Sequence, residues 1–165
     1  MGRSRAHPVR ALLCDRDGTL IEDVPYNAEA AAVRPLPGVA DVLARVRAAG
    51  WRVGVVTNQS GLSRGRIRPE QLETVHARLV ELLGPFDVIA VCPHGPADGC
   101  SCRKPEPGLV VRAAAALDVP PAACVVVGDR RCDVVAAKRA GAMALLVGGS
   151  NGSFADRVDS VLERS

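Results

Sequence analysis

Predominantly apolar runs, several of them rich in β-branched residues, occur at residues 9–14, 52–57, 88–92, 124–127 and 143–147. None of them alternates apolar with polar positions, so each predicts a strand buried on both faces. Between the runs the spacing becomes helical. Residues 38–49 stop at Gly50, residues 69–83 open on Pro69 and stop at Gly84, and residues 109–117 are rich in alanine. Residues 131–140 stop at Gly141, and residues 154–162 predict a last short helix. Proline in a first helical turn loses no hydrogen bond, and glycine just past a last turn accepts the left-handed conformation that closes it. Strands of this kind alternating with helices predict an α/β fold, a Rossmann-like open parallel sheet with helices on both faces. Residues 93–107 follow neither period and are dense in Pro, Gly, Cys and charge.

In such a sheet ligands bind beyond the carboxyl ends of the strands. The polar residues that directly follow each apolar run are therefore the candidate chemistry. Asp15 and Asp17 follow the first run, Thr57 and Asn58 the second, a cysteine cluster the third, and Asp129, with Asp133 close by, the fourth. Carboxylates gathered at one edge repel one another unless a cation neutralises them, and their hard oxygens suit Mg²⁺. One carboxylate can attack phosphorus while a second passes the proton. The run Thr57-Asn58-Gln59-Ser60-Gly61 offers hydroxyl and backbone N–H donors to a phosphoryl group. Lys104, in Arg103-Lys104-Pro105, could neutralise the charge of a transferring phosphoryl. Each piece alone also has a plain structural reading: an Asx-capped turn, a helix cap or a solvated cation pair.

Composition narrows the field. A chain of 165 residues that is 48% apolar suits one globular domain spanning 1–165. No apolar run nears the roughly 20 residues that cross a bilayer, so no membrane partner is expected. Residues 1–8 carry charge but no apolar stretch of a secretory signal, and a cytoplasmic protein is expected. A net charge of +3 and scattered aromatics (Tyr26, Trp51, Phe86, Phe154) argue against nucleic acid. Of 21 basic residues only Lys104 and Lys138 are lysines. A monomer is the simplest expectation.

Six cysteines in a cytosolic chain point to metal or free thiols rather than disulfides. Cys92, His94, Cys100 and Cys102 supply three thiolates and an imidazole, a closed tetrahedral set suited to structural Zn²⁺. Such an ion would pin the 92–107 loop and so position Arg103 and Lys104 beside it. Cys14, Cys124 and Cys132 adjoin apolar runs and are expected to be buried small hydrophobes.

The order Asp-x-Asp-Gly-Thr, Thr-Asn, Arg-Lys-Pro, Gly-Asp-x-x-x-Asp resembles the haloacid dehalogenase superfamily of phosphatases, across residues 12–133. The resemblance implies Asp15 as nucleophile and Asp17 as general acid and base, with Thr57 and Lys104 holding the phosphoryl group. It implies Mg²⁺ on Asp15, the backbone carbonyl of Asp17, and Asp129, with Asp133 behind these ligands. The spacing leaves no room for a cap domain, as in capless members. The Cys-Pro-His and Cys-x-Cys-Arg-Lys-Pro pieces are similar to D-glycero-D-manno-heptose 1,7-bisphosphate phosphatases and to histidinol-phosphate phosphatases. The heptose resemblance implies removal of the 7-phosphate of a small phosphorylated sugar. It also implies substrate contacts from Asp23, Tyr26, Asn58, Gln59, Ser60, Arg103 and Arg130. The short loop between His94 and Cys100 is shared with histidinol-phosphate phosphatases, which keeps that substrate as the alternative. A phospho-accepting receiver module is the more distant one, because its acceptor aspartate follows the third strand, where this chain has Cys92.

Overall fold

The computed structural model describes residues 10–164. Ten elements alternate along them: β1 (Ala11–Cys14), α1 (Val39–Ala48), β2 (Arg52–Asn58), α2 (Pro69–Leu83), β3 (Val88–Cys92), α3 (Gly108–Ala116), β4 (Cys124–Gly128), α4 (Arg131–Ala140), β5 (Met143–Leu146) and α5 (Phe154–Leu162). Every predicted strand and helix is present, with ends displaced by a residue or so. Val9, in the first predicted strand, lies outside the described residues. Three short 3-10 turns, at Ala30–Ala32, Pro121–Ala123 and Gly149–Asn151, had no counterpart in the reading of the sequence. One turn buries no amphipathic face, so it leaves no period to read.

All five strands are parallel, in the order β3-β2-β1-β4-β5. Period-two alternation divides the core into two halves. Leu12, Cys14, Val53, Val55, Val125 and Val127 pack with α1, α2 and α5 on one face. Ala11, Leu13, Val56, Val126 and Cys92 pack with α3 and α4 on the other. Burial on both faces is the physical reason that the strand sequences run continuously apolar. Each fully buried Leu or Val adds about 1.5–3 kcal/mol of transfer free energy.

Local signals set the helix ends. Pro69 opens α2, and the backbone N–H of Arg68 donates to the Gln71 side chain at 3.0 Å. Gly141 closes α4 at φ 82°. Ser153 caps α5, its hydroxyl accepting from the Asp156 N–H at 3.1 Å. Neither connection around β2 holds more than one α-helix among the described residues, so no cap domain stands over the strand ends. No described helix is long and apolar enough to cross a membrane.

The connection after β1 runs towards β2, whereas that after β4 runs towards β5. Neighbouring strands with opposed exits leave a crevice between their carboxyl ends. The Asp15 N–H donates to Val127 O at 2.8 Å, tying the end of β1 to β4 at this crevice.

Candidate active site

Lys104 forms the floor of the crevice. It is 3% exposed, and its Nζ donates to Asp15 Oδ1 at 2.8 Å, to Asp133 Oδ1 at 2.5 Å and to Val56 O at 2.8 Å. An ammonium has three donors, and all of them are used. Burial alone would lower the pKa of Lys104, but the Asp15 and Asp133 carboxylates outweigh it and hold the ammonium protonated beyond its ordinary range. Asn58 fixes the lysine backbone from below: Lys104 N donates to Asn58 Oδ1, and Asn58 Nδ2 donates to Lys104 O, each at 3.1 Å. The Asn58 amide, expected at the substrate, is thus committed to placing Lys104, although the residue still lines the crevice.

Carboxylate oxygens of Asp15, Asp129 and Asp133 lie within 4.8 Å of one another. Burial raises the pKa of Asp15, against the pull of Lys104 and with a push from Asp133. Burial and the Asp15 charge raise that of Asp129. One ammonium faces three carboxylates, a hard-oxygen donor set short of positive charge, which suits a divalent cation. Asp133 has both oxygens taken, Oδ1 by Lys104 and Oδ2 by the Arg130 N–H at 3.1 Å. It belongs to the cluster and caps α4 at the same time.

Two glycines permit this crowding. A Cβ on Gly18, which sits at φ +77°, would lie 2.4 Å from Asp129 Oδ2. One on Gly128 would lie 2.2 Å from Asp133 Cγ.

The Asp17 side chain is absent from the cluster of facing carboxylates. Its Oδ1 accepts from Arg16 Nε at 3.2 Å and Nη2 at 3.0 Å, and its Oδ2 from Arg16 Nε at 3.1 Å and Gln59 Nε2 at 3.0 Å. Gln59 Nε2 also donates to Thr57 Oγ1 at 2.8 Å, so Thr57, Gln59 and Asp17 form one chain of contacts.

Above the floor opens a crevice of about 420 Å³, lined by Asp15, Asp17 and Lys104 together with Asp23, Tyr26, Gln59, Ser60, Arg103 and Arg130. Thr57 and Asp129 are not among its lining residues. Arg130 Nη2 donates to Asp23 Oδ2 at 2.9 Å across the rim. Tyr26 accepts from Arg64 Nη1 at 2.6 Å, and the Arg66 guanidinium lies 4.9 Å from its ring centroid. Arg103 Nη1 donates to His94 O at 3.0 Å, which joins the rim to the cysteine loop.

In that loop Sγ of Cys92 is 3.5 Å from His94 Nδ1, 3.8 Å from Cys100 Sγ and 3.3 Å from Cys102 Sγ. Cys102 Sγ is 3.4 Å from His94 Nδ1. Bonds of about 2.3 Å to sulfur and 2.0–2.1 Å to nitrogen would set tetrahedral edges of about 3.5–3.8 Å. The four atoms therefore have the spacing of a metal site. Burial pushes the Cys92 thiol up to about 12. Burial also acts on Cys100, but the backbone N–H groups of Arg103 and Cys102 bring it down to about 7.

Cys132 departs from expectation. Cys14 and Cys124 are buried in the core, but Cys132 is half-buried and lines the crevice, because the first turn of α4 turns it there. The reading of the sequence also passed over Arg16 and His76. Arg16 is 1% exposed, and its Nη1 lies 3.2 Å from His76 Nε2. A polar residue on the apolar face of α2 was the one available signal.

The haloacid dehalogenase-like hydrolase family model matches residues 25–141. D-glycero-beta-D-manno-heptose-1,7-bisphosphate 7-phosphatase of Pseudomonas putida is 40% identical over 144 residues, covering 84% of this chain and 82% of that one. The enzyme of the same name from Bordetella bronchiseptica is 39% identical over 153 residues, covering 87% and 83%. The structure of D,D-heptose 1,7-bisphosphate phosphatase from B. bronchiseptica, complexed with magnesium and phosphate, matches with a TM-score of 0.84 and 32% identity. It covers 95% of this chain and 100% of that one. Sequence, fold and the carboxylate–lysine floor agree, and the chain belongs to the haloacid dehalogenase-like hydrolases as a phosphatase.

Proposed function

We propose that the chain removes the 7-phosphate of D-glycero-D-manno-heptose 1,7-bisphosphate through an aspartyl-phosphate on Asp15. The observation that carries this reading is the buried Asp15–Lys104 contact of 2.8 Å on the floor of a crevice rimmed by Arg103 and Arg130. An Asp15 oxygen attacks phosphorus, the bond from phosphorus to the sugar oxygen breaks, and Asp17 gives its proton to that oxygen. Asp17 then takes a proton from water as the water attacks phosphorus. The bond to Asp15 breaks, and inorganic phosphate leaves. Lys104 balances negative charge at the reacting centre throughout. Mg²⁺ held by Asp15, the Asp17 carbonyl and Asp129 would supply the remaining positive charge to the phosphoryl oxygens. Gln59 orients Asp17, and Ser60, Asp23 and Tyr26 shape the sugar side of the crevice.

A second phosphate suits the two rim arginines, since the guanidinium fork matches phosphate oxygens. Charge-assisted bonds of about 1.5–3 kcal/mol correspond to about tenfold or more in kcat/KM. The test is phosphate release with Mg²⁺ from both anomers of heptose 1,7-bisphosphate and from histidinol phosphate, with ³¹P NMR to identify the ester cleaved. The expected result is loss of the 7-phosphate, with histidinol phosphate at least about tenfold slower. The reverse order would keep the mechanism and replace the substrate.

The cysteine loop fits structural Zn²⁺, held by Cys92, His94, Cys100 and Cys102, with no open position for catalysis. Its effect would reach the crevice through the Arg103 N–H, 3.3 Å from Cys100 Sγ, and through Lys104 beyond it. A strong chelator should therefore lower Tm by about 5 °C or more and open bonds within 93–107 to protease, as read by thermal melting and mass spectrometry. Unchanged melting and unchanged cleavage would argue against the metal.

A further inference from the structure

α2 contributes one side chain that the chemistry above does not use. His76 stands on the face that carries Leu72, Val75, Leu79 and Leu83 into the core. Its Nε2 lies 3.2 Å from Arg16 Nη1. The other donors of that guanidinium, Nε and Nη2, are spent on Asp17. A guanidinium only donates, so Nε2 is the acceptor, the ring proton is on Nδ1, and the imidazole is neutral. Burial, reinforced by the Arg16 charge, lowers His76 to about 4, in keeping with a neutral ring.

We infer that His76 is a positioning residue for proton transfer, holding the Arg16 fork from behind so that Asp17 meets the leaving oxygen in one orientation. The inference rests on the reading of Asp17 as general acid. Three of the four hydrogen bonds on the Asp17 carboxylate come from Arg16, so wherever the guanidinium turns, the carboxylate follows. Arg16 is 1% exposed, and removing the imidazole takes away the acceptor that faces its Nη1 at 3.2 Å. A buried donor left without a partner favours any rotation that finds one. An acid must lie within a hydrogen bond of the oxygen it protonates, and displacement by about 1 Å is costly in rate.

The test compares kcat/KM on heptose 1,7-bisphosphate, or on histidinol phosphate if that is the better substrate, with kcat/KM on p-nitrophenyl phosphate. The alcohol leaving group needs a proton, whereas p-nitrophenolate leaves without one. The ratio of the two constants is independent of the fraction of protein that is folded, so a purely structural defect does not move it. In His76→Leu the ratio should fall about tenfold or more, out of the roughly 10²–10⁴ that a general acid contributes. In His76→Gln, whose Oε1 can replace Nε2 as acceptor, it should stay within about threefold of wild type. Asp17→Asn should lower the ratio at least as far as His76→Leu. An unchanged ratio in His76→Leu beside a lowered one in Asp17→Asn overturns the role of His76 alone. A Gln variant as impaired as the Leu variant overturns the acceptor role. An unchanged ratio in Asp17→Asn removes the acid and the inference with it.

Discussion

Asp15→Asn should abolish turnover, by about 10⁴-fold or more, while leaving a folded protein. The amide has the shape of the carboxylate but cannot attack phosphorus, and losing a nucleophile costs on this scale or beyond it. The fold should survive because Lys104 retains Asp133 and Val56 O as partners. The substitution also removes one of three mutually facing carboxylates. Breaking a buried ion pair costs about 3–5 kcal/mol when it strands a charge. Here the released ammonium keeps a carboxylate at 2.5 Å, so a change within about 2 kcal/mol is expected. The checks are phosphate release and a thermal melt on the same preparation. Residual activity within tenfold of wild type would remove Asp15 from the reaction.

Lys104→Met should damage both activity and stability. Asp15 and Asp133 would then lie buried without their cation, at a cost of about 3–5 kcal/mol. At about 2–4 °C per kcal/mol, Tm should fall by about 10 °C. Loss of the charge that faces the reacting centre should lower kcat by a further 10²–10³ or so. Mg²⁺ should narrow the stability deficit, since a site richer in negative charge is stabilised more by a bound cation. Lys104→Arg should not rescue activity. Three acceptors, Asp15 Oδ1, Asp133 Oδ1 and Val56 O, converge on the single Nζ, and a planar fork cannot meet all three from that position. Melting curves with and without Mg²⁺, beside steady-state rates, test this. A Lys104→Met protein as stable as wild type without metal would contradict it.

The fold was legible because its signals are local. Residues 124–127 and 11–14 are apolar without alternation, which only a strand covered on both faces requires, and Gly50, Gly84 and Gly141 mark the helix stops. The strand-end rule then placed Asp15, Asp17 and Asp129 at one edge, and the structure brings Asp15 and Asp129 to within 4.8 Å. What escaped depends on contacts between distant segments. Arg16 looks like a spacer between two aspartates until α2 brings His76 to its far side, 60 positions along the chain. Asn58 looks like a ligand for phosphate until the 93–107 loop closes and its amide takes the Lys104 backbone, 46 positions away. Cys132 looks like core because apolar residues adjoin it, but the rotation of the first turn of α4 faces it to the crevice.

The covalent intermediate on Asp15 is the most direct point of test. Substrate labelled with ³²P at the ester cleaved would be mixed with enzyme and Mg²⁺ and quenched in acid during turnover. Borohydride reduction of the acyl phosphate followed by mass spectrometry would locate it. The expected result is homoserine at position 15, with no acid-stable label in Asp15→Asn. Rapid turnover with no protein-bound label at any quench time, or label on another residue, would contradict the account.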